Sequence, residues 1–292
     1  AVQGAELCYE RLDDGKEKSY MGYTFIVTAA VDSEPILAHS ALQVGPKNSA
    51  WQQVFNPTWV APSPATKNRS GLLVRSQNCS RPNNSWCVGC GGTGQRASWL
   101  TLAELDNDGG AEAQPKVANF VGAAEAVFGP FDCESPHGSK CIDSMGTEDP
   151  RLTFDPETRT YFLLYNAYGP GGVFLALAST ADPTKRAGWT RHGKIFGSAT
   201  QQKSGSLVLR ESGPHYVIWG CDGMLKITPS VGRSLLIWNY SASQNLFGVR
   251  ESPYWDTIFV ESAMPPLPLS TGDLLFFYDS MGWGFQPGAD PF

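Results

Sequence analysis

Residues 149–189 read DPRLTFDPETRTYFLLYNAYGPGGVFLALASTADPTKRAGW. Within this segment, runs of apolar, β-branched and aromatic residues lie at 151–155, 161–165 and 172–178, and the polar turn Pro156-Glu157-Thr158-Arg159 separates the first two. Runs of this kind, bounded by turn residues, are typical of β-strands. The segment therefore predicts a unit of three or four short strands that ends near Trp189.

The same order of strands and turns recurs along the chain. Unit starts near residues 149, 204 and 264 are separated by 55 and 60 residues, which is a period typical of propeller blades. Almost no helix signal is present, so we predict an all-β fold in which residues 1–292 form a single five-bladed β-propeller. A β-sandwich with irregular strands is the alternative. The further predicted strands lie at 72–75, 99–102, 206–209, 216–219, 234–238 and 274–278.

The two ends of the chain bear on how such a ring would close. Residues 23–31 and 36–44 predict strands of a blade that the opposite terminus completes, which removes the exposed sheet edges. The chain ends at Phe292, soon after its last visible unit begins. We therefore expect a C-terminal segment that is absent from this chain or is supplied by a separate chain.

An insertion at about 76–147 is rich in Cys, Asn and Gly, and it indicates an oxidising, glycosylating pathway. We expect a secreted or cell-surface glycoprotein with disulfide bonds. The Cys87-Val88-Gly89-Cys90 spacing is also that of half a zinc site, but no second half completes it, which favours a disulfide-stapled loop. The expected glycosylation sites are Asn68, Asn78, Asn83 and Asn239, and the expected disulfide cysteines are Cys79, Cys87, Cys90, Cys133 and Cys141.

Charge and hydropathy exclude two classes of partner. The formal net charge of −6 argues against a nucleic acid or an anionic membrane surface, either of which requires a basic face. The longest apolar runs, such as 274–278, are far too short to span a bilayer.

The segment Glu148-Asp149-Pro150-Arg151 is the strongest candidate for chemistry. It places two carboxylates and a guanidinium within four residues, at the start of a predicted strand. Because adjacent strand residues point to opposite sides, we expect only one of Glu148 and Asp149 to face a given cavity and the other to orient Arg151. A capped turn with a surface ion pair is the structural alternative.

Five short motifs stand in a fixed order along the chain. They are Asn56-Pro57 after Phe55, Leu73-Val74-Arg75, Glu148-Asp149-Pro150-Arg151, Lys203-Ser204-Gly205, and Pro265-Pro266-Leu267-Pro268-Leu269-Ser270-Thr271-Gly272. This order resembles that of glycoside hydrolase family 130, which comprises β-mannoside phosphorylases and β-1,2-mannosidases on a five-bladed propeller. The resemblance runs from about residue 50 to residue 282 and is that of a distant member.

The resemblance implies roles for individual residues. Asp149 matches the family's general acid, which protonates the glycosidic oxygen, in phosphorylases by way of a sugar hydroxyl. Lys203 matches a position that helps to hold phosphate. Family chemistry inverts the anomeric centre, which requires two opposed groups. The residues expected around the sugar or the anion are Asn56, Arg75, Glu148 and Arg151.

Departures from the family pattern favour hydrolysis over phosphorolysis. Phosphorylases of the resembled family have a Tyr-His-Gly segment where this chain has Tyr278-Asp279-Ser280. A carboxylate at the histidine position repels a phosphate dianion. A hydrolase uses a carboxylate as its general base. Glu261 is our first candidate for that base and Asp279 is the second. Met264 stands where the family usually has a small residue.

These observations predict a secreted inverting glycosidase that acts on β-mannosides or a related glycan and requires no metal or organic cofactor. The rival is a non-catalytic carbohydrate-binding or wall-assembly protein on a degenerate glycosidase propeller. A five-bladed glycosidase of another family, acting on furanosides or fructans, is a third alternative, although the motifs of such families are not evident.

Overall fold

The computed structural model describes residues 53–77, 98–106, 116–120, 126–130, 142–169, 171–197, 202–221, 223–251 and 256–281. Within these ranges the fold is all-β, and its helical content is a short 3₁₀ turn at Tyr240–Ala242. The predicted strands at 23–31 and 36–44 lie outside the described residues. No helix among the described residues is long and apolar enough to cross a membrane.

Three four-stranded antiparallel sheets follow one another along the chain, and each is a meander of consecutive strands. The first sheet contains β1 (Gln53–Val60), β2 (Gly71–Gln77), β3 (Ser98–Asp106) and β4 (Lys116–Phe120). The second contains β5 (Gly146–Asp155), β6 (Thr160–Gly169), β7 (Gly172–Thr180) and β8 (Thr190–Lys194). The third contains β9 (Ser206–Val208), β10 (Tyr216–Cys221), β11 (Met224–Pro229) and β12 (Gln244–Gly248).

Two smaller antiparallel pairs complete the described part of the fold. β13 (Phe259–Ser262) pairs with β16 (Tyr278–Met281), and β14 (Leu267–Pro268) pairs with β15 (Leu274–Leu275). The predicted single strand at 274–278 is therefore wrong, because its two ends belong to different sheets. Pairing of β13 with β16 places Glu261 directly opposite Asp279.

The hydrophobic core lies between successive sheets. Leu163 packs with Leu73 and Leu100 of the first sheet, whereas its neighbour Leu164 packs with Leu207 and other residues of the third. Adjacent strand residues face opposite sides, so the apolar run at 161–165 is the pattern of a strand covered on both faces. A further cluster joins the third sheet to Val260 of β13.

The predicted strand at 234–238 is wrong, and the third strand of its sheet is β11. Apolar content misled the assignment, because Leu236 and Ile237 are 51% and 58% exposed. Leu235 and Trp238 are the residues of this segment that pack into the core, and their spacing of three does not match the alternation of a strand. The segment is a loop between β11 and β12 that a single bridge from Ser230 to Trp238 closes.

A β-bulge recurs at the same place in the first two sheets. In β1 the register passes from Phe55 opposite Arg75 to Thr58 opposite Leu73, and β5 shows the same shift between Glu148 and Arg151. Proline has no N–H for the strand ladder, so Asn56-Pro57 and Asp149-Pro150 are each accommodated in a bulge. The extra residue turns the side chains of Asn56 and Asp149 out of the regular alternation.

Candidate active site

Asp149 lies at the junction of the first and second sheets. Its backbone has a positive φ of 48°, as does that of Asn56 at 50°. Left-handed conformations in non-glycine residues carry strain and are concentrated at functional sites. Asn56 Nδ2 and Arg75 Nη1 both donate to Asp149 Oδ1, the latter at 2.8 Å. Two bulges of the same form thus bring an amide and a carboxylate from different sheets into contact.

The expectation that only one of Glu148 and Asp149 faces the site is wrong. Arg75 donates from Nη2 to Glu148 Oε1 at 2.6 Å while its Nη1 contacts Asp149, so a single guanidinium binds both carboxylates. The bulge after Glu148 breaks the strand alternation and allows both side chains onto one side. Ser98 supports this arrangement, because its hydroxyl accepts from Arg75 Nε at 3.1 Å and donates to Glu148 at 3.2 Å.

Asn166 is a site residue that the sequence analysis did not identify. Its Nδ2 donates to Asp149 Oδ2 at 2.8 Å, and its side-chain oxygen accepts the backbone N–H of Ser204 at 2.8 Å. Asn166 on β6 occupies the position that Arg75 occupies on β2, since each pairs with the residue before a bulge. A lone amide in the otherwise apolar run of β6 is the signal that could have indicated it.

Arg151 connects the second sheet to β13. The side chain is buried, and its Nη1 donates to the backbone oxygen of Asp149 at 2.7 Å while its Nη2 donates to that of Ser262 at 2.6 Å. Burial lowers the pKa of Arg151, and the negative charges of Asp149, Glu261 and Asp279 oppose that shift. The backbone oxygen of Asp149, rather than the Glu148 side chain, therefore orients this guanidinium.

Glu261 and Lys203 form a further part of the site. Glu261 Oε2 accepts from the Ser204 hydroxyl at 2.6 Å and lies 3.2 Å from Lys203 Nζ. Ser204, two residues before β9, has a positive φ of 56°, a backbone conformation that it shares with Asn56 and Asp149. Met264 lies partly buried just beyond β13.

The pKa values of Asp149 and Asp279 are shifted in opposite directions. Burial alone would raise the pKa of Asp149, but the charges of Arg75 and Arg151, with hydrogen bonds from Asn56 and Arg75, lower it. Burial raises the pKa of Asp279, and the charges of Glu261 and Asp149 add to this effect against the opposing charge of Arg151. Asp149 is consequently ionised at neutral pH, whereas Asp279 holds its proton to higher pH than an ordinary aspartate.

The structure thus brings together every catalytic and sugar-binding candidate from the sequence. No group of His, Cys, Asp and Glu among the described residues is arranged to hold a metal ion. Of the expected glycosylation sites, Asn68 and Asn239 are exposed, and Asn78 and Asn83 lie outside the described residues. All five expected disulfide cysteines also lie outside them. The candidates that the sequence predicted are Asn56, Arg75, Glu148, Asp149, Arg151, Lys203, Glu261 and Asp279, and the structure adds Asn166.

Solved structures of glycoside-processing enzymes share this fold. One is a glycosyl hydrolase from Bacteroides ovatus, with 21% identity over 80% of this chain and 62% of that chain and a TM-score of 0.58. Another comes from work showing that the GH130 family of mannoside phosphorylases contains glycoside hydrolases that target β-1,2-mannosidic linkages in Candida mannan. It has 22% identity over 80% of this chain and 62% of that chain, with a TM-score of 0.59. The β-1,2-mannobiose phosphorylase from Listeria innocua, in complex with β-1,2-mannobiose, has 16% identity over 86% of this chain and 74% of that chain, with a TM-score of 0.62.

At these identities the likeness is one of fold. This chain spans 62% of the length of the first two structures, which is less than two thirds. No protein-family model and no curated protein sequence matches the chain. The chain nevertheless resembles glycoside hydrolase family 130 in the order of its motifs and in the fold that carries them.

Proposed function

We propose that this chain is a glycoside hydrolase of a five-bladed propeller type, which inverts the anomeric centre of β-mannosides or a related glycan. The observation that supports this proposal most strongly is the placement of Asp149, which accepts hydrogen bonds from donors on two sheets and whose negative charge acts on Arg151 together with those of Glu261 and Asp279. Opposed carboxyl groups around one cavity are what inverting hydrolysis requires. The three successive four-stranded meanders support the propeller, because such sheets are its blades.

Asp149 is the general acid in this proposal, and that role requires a protonated carboxyl group. Its pKa is lowered by its surroundings, so few molecules carry the proton at neutral pH. A sugar bound over the carboxyl group excludes water, and further desolvation raises the pKa of an acid. Substrate binding therefore prepares Asp149 to protonate the glycosidic oxygen, directly or through a sugar hydroxyl.

Glu261 is the proposed general base, with Asp279 as the second candidate. Lys203 and Ser204 hold the Glu261 carboxylate in place. In that position Glu261 would activate the attacking water molecule. Asp279 lies opposite Glu261, so two carboxyl groups occupy the side on which a phosphate dianion would enter. The negative charge of Glu261, and that of Asp279 once it ionises, opposes phosphate binding and favours water as the nucleophile.

The test is release of mannose from β-1,2-mannobiose, measured chromatographically with and without inorganic phosphate. Hydrolysis predicts free mannose at a rate that phosphate does not increase, and loss of that activity in Asp149→Asn. A rate that rises with phosphate would overturn the choice of hydrolysis. Full activity of the folded Asp149→Asn protein would overturn the role of Asp149.

A non-catalytic glycan-binding function is the second candidate, and one observation favours it. Both oxygens of Asp149 already accept hydrogen bonds, and its lowered pKa favours the ionised form over a proton donor. A glycan array combined with a hydrolysis assay separates the two functions. Binding of mannosides without turnover would support only the binding function.

Secretion, glycosylation and closure of the ring are further proposals. The exposure of Asn68 and Asn239 is compatible with attached glycans. A fall in mass on enzymatic deglycosylation of the native protein would support this proposal, and an unchanged mass would contradict it. Nothing in the comparisons supports a separate chain that completes the propeller, and the mass of the native deglycosylated protein also tests that expectation.

A further inference from the structure

A pocket lies at the opposite end of β5 from the candidate active site. β5 carries Asp149 near its start, whereas Asp155, at its end, lines this pocket. An extended strand rises by about 3.3 Å per residue, so the two sites are about 20 Å apart. The cavity has a volume of about 400 Å³, which is within the range of small-ligand sites.

One wall of the pocket is apolar and firmly held. Phe162 of β6 and Leu235 both pack into the core cluster between the second and third sheets. Leu236, which is 51% exposed, extends this wall outward from the loop between β11 and β12. Main-chain hydrogen bonds fix that loop, among them the one from Val231 N–H to the Ile237 oxygen at 2.8 Å.

The rim of the pocket is polar, and its groups are ordered by contacts of their own. Arg233 donates to the backbone oxygen of Arg210 at 2.9 Å and to Glu157 at 2.9 Å. His215 Nδ1 accepts the backbone N–H of Arg210 at 3.1 Å, so the neutral ring carries its proton on Nε2. His192 bonds to the Ser179 hydroxyl at 2.7 Å.

The charge of the pocket selects among ligands. Burial lowers the pKa of both His192 and His215, so both rings are neutral at pH 7. The charged groups that remain are Asp155, Glu157 and Arg233, which gives one net negative charge. This balance disfavours an anion. A mixture of donors and acceptors around an apolar wall matches a sugar ring, which has hydroxyls at its edge and C–H groups on its faces.

We infer that this pocket binds a neutral glycan, with one pyranose ring packed against Phe162 and Leu236 and its hydroxyls bonded to Glu157, His215 and Arg233. Such a site holds a chain of sugars without taking part in turnover. It is independent of the chemistry at Asp149, because none of its lining residues belongs to that site.

The experiment is a titration of the full chain, labelled with ¹³C at its leucine methyl groups, followed by NMR. The probes are the neutral disaccharides β-1,2-mannobiose, cellobiose and maltose, with mannose 6-phosphate as the charged comparison. We expect at least one neutral disaccharide to shift the methyl resonances of Leu235 and Leu236, in the wild type and equally in Arg75→Ala. No shift with any neutral disaccharide, a shift lost in Arg75→Ala, or tighter binding of mannose 6-phosphate would each overturn the inference.

Two variants on one loop supply the matched comparison. Leu236 and Val231 are each 51% exposed, and only Leu236 lines the pocket. Leu236→Asp should weaken binding by about tenfold through loss of the apolar wall, and Val231→Asp should leave it unchanged. Equal weakening by both variants would contradict the site. Mannoside hydrolysis measured on the same samples reports on Asp149 alone, so failure of that activity does not bear on the pocket.

Discussion

Asn166 donates a hydrogen bond to Oδ2 of Asp149 at 2.8 Å, across the hairpin that joins β5 and β6. The amide cannot rotate freely, because its oxygen accepts the N–H of Ser204. One buried side chain thereby links the proposed acid to the start of the third sheet. Asp149 Oδ1 is held by the first sheet, so the carboxylate plane is fixed from both sides.

We predict that Asn166 positions Asp149 and sets its pKa. Asn166→Ala removes a donor to the ionised form, which raises the pKa of Asp149, and Asn166→Asp adds a like charge and raises it further. The measurement is the pKa of Asp149 by ¹³C carboxyl NMR, together with the pH profile of mannoside hydrolysis. An identical pKa in all three proteins would show that Asn166 only packs.

Asp149→Asn should lower mannoside hydrolysis by about 10³-fold, which is the usual contribution of a general acid. The amide retains the shape of the side chain, so the circular dichroism spectrum should be unchanged. Asp155→Asn, at the far end of the same strand, is the matched control and should retain activity. Equal losses in the two variants would point to damage of β5 rather than of the chemistry.

The pH dependence of stability should separate the two aspartates. The pKa of Asp149 is lowered in the folded state, so the stability it contributes is present above its ordinary value of 3.8 and is lost as the pH falls through the folded value. Asp279 has a raised pKa, so its contribution is present below 3.8 and is lost as the pH rises through the folded value. Urea unfolding of Asp149→Asn and Asp279→Asn between pH 3 and pH 7 measures both.

The expected signs are opposite. The quantity compared is the free energy of unfolding of each variant minus that of the wild type. For Asp149→Asn this difference should be more negative at pH 7 than at pH 3. For Asp279→Asn it should be more positive at pH 7 than at pH 3. Differences from the wild type that do not change with pH in either variant would contradict the pKa shifts.

Sequence patterns predicted most of the strands and most of the site residues, but they did not predict the backbone geometry that brings those residues together. The apolar run of β6 and the turn after Asp155 are local signals, and they predicted the second sheet well. The run at 234–238 has the same apolar character, but Leu236 and Ile237 are exposed and it forms no strand, because burial of a segment depends on surfaces distant in sequence. Strand alternation failed at Glu148 and Asp149, since the bulge is fixed by pairing with β6 and has only Pro150 as a local signal.

Arg151 should be essential for stability. Replacement by Met preserves the volume but leaves the backbone oxygens of Asp149 and Ser262 without their donors and removes the positive charge among three carboxyl groups. Loss of a buried, paired charge costs about 3–5 kcal/mol. Urea unfolding is the measurement. The exposed Arg159, in the turn after β5, supplies the control, and Arg159→Met should change stability by less than about 0.5 kcal/mol.

Asp279 also affects the choice of nucleophile. Asp279 stands where phosphorylases of the resembled family have a histidine, and its carboxyl group lies opposite Glu261. Asp279→His removes one negative charge and introduces a donor, so phosphate should bind more tightly and turnover of β-1,2-mannobiose should become phosphate-dependent. Asp279→Asn, which removes the charge without adding a cationic donor, should give a smaller effect. Formation of mannose 1-phosphate is the direct measurement, and its absence from the folded histidine variant would show that Glu261 alone suffices to exclude phosphate.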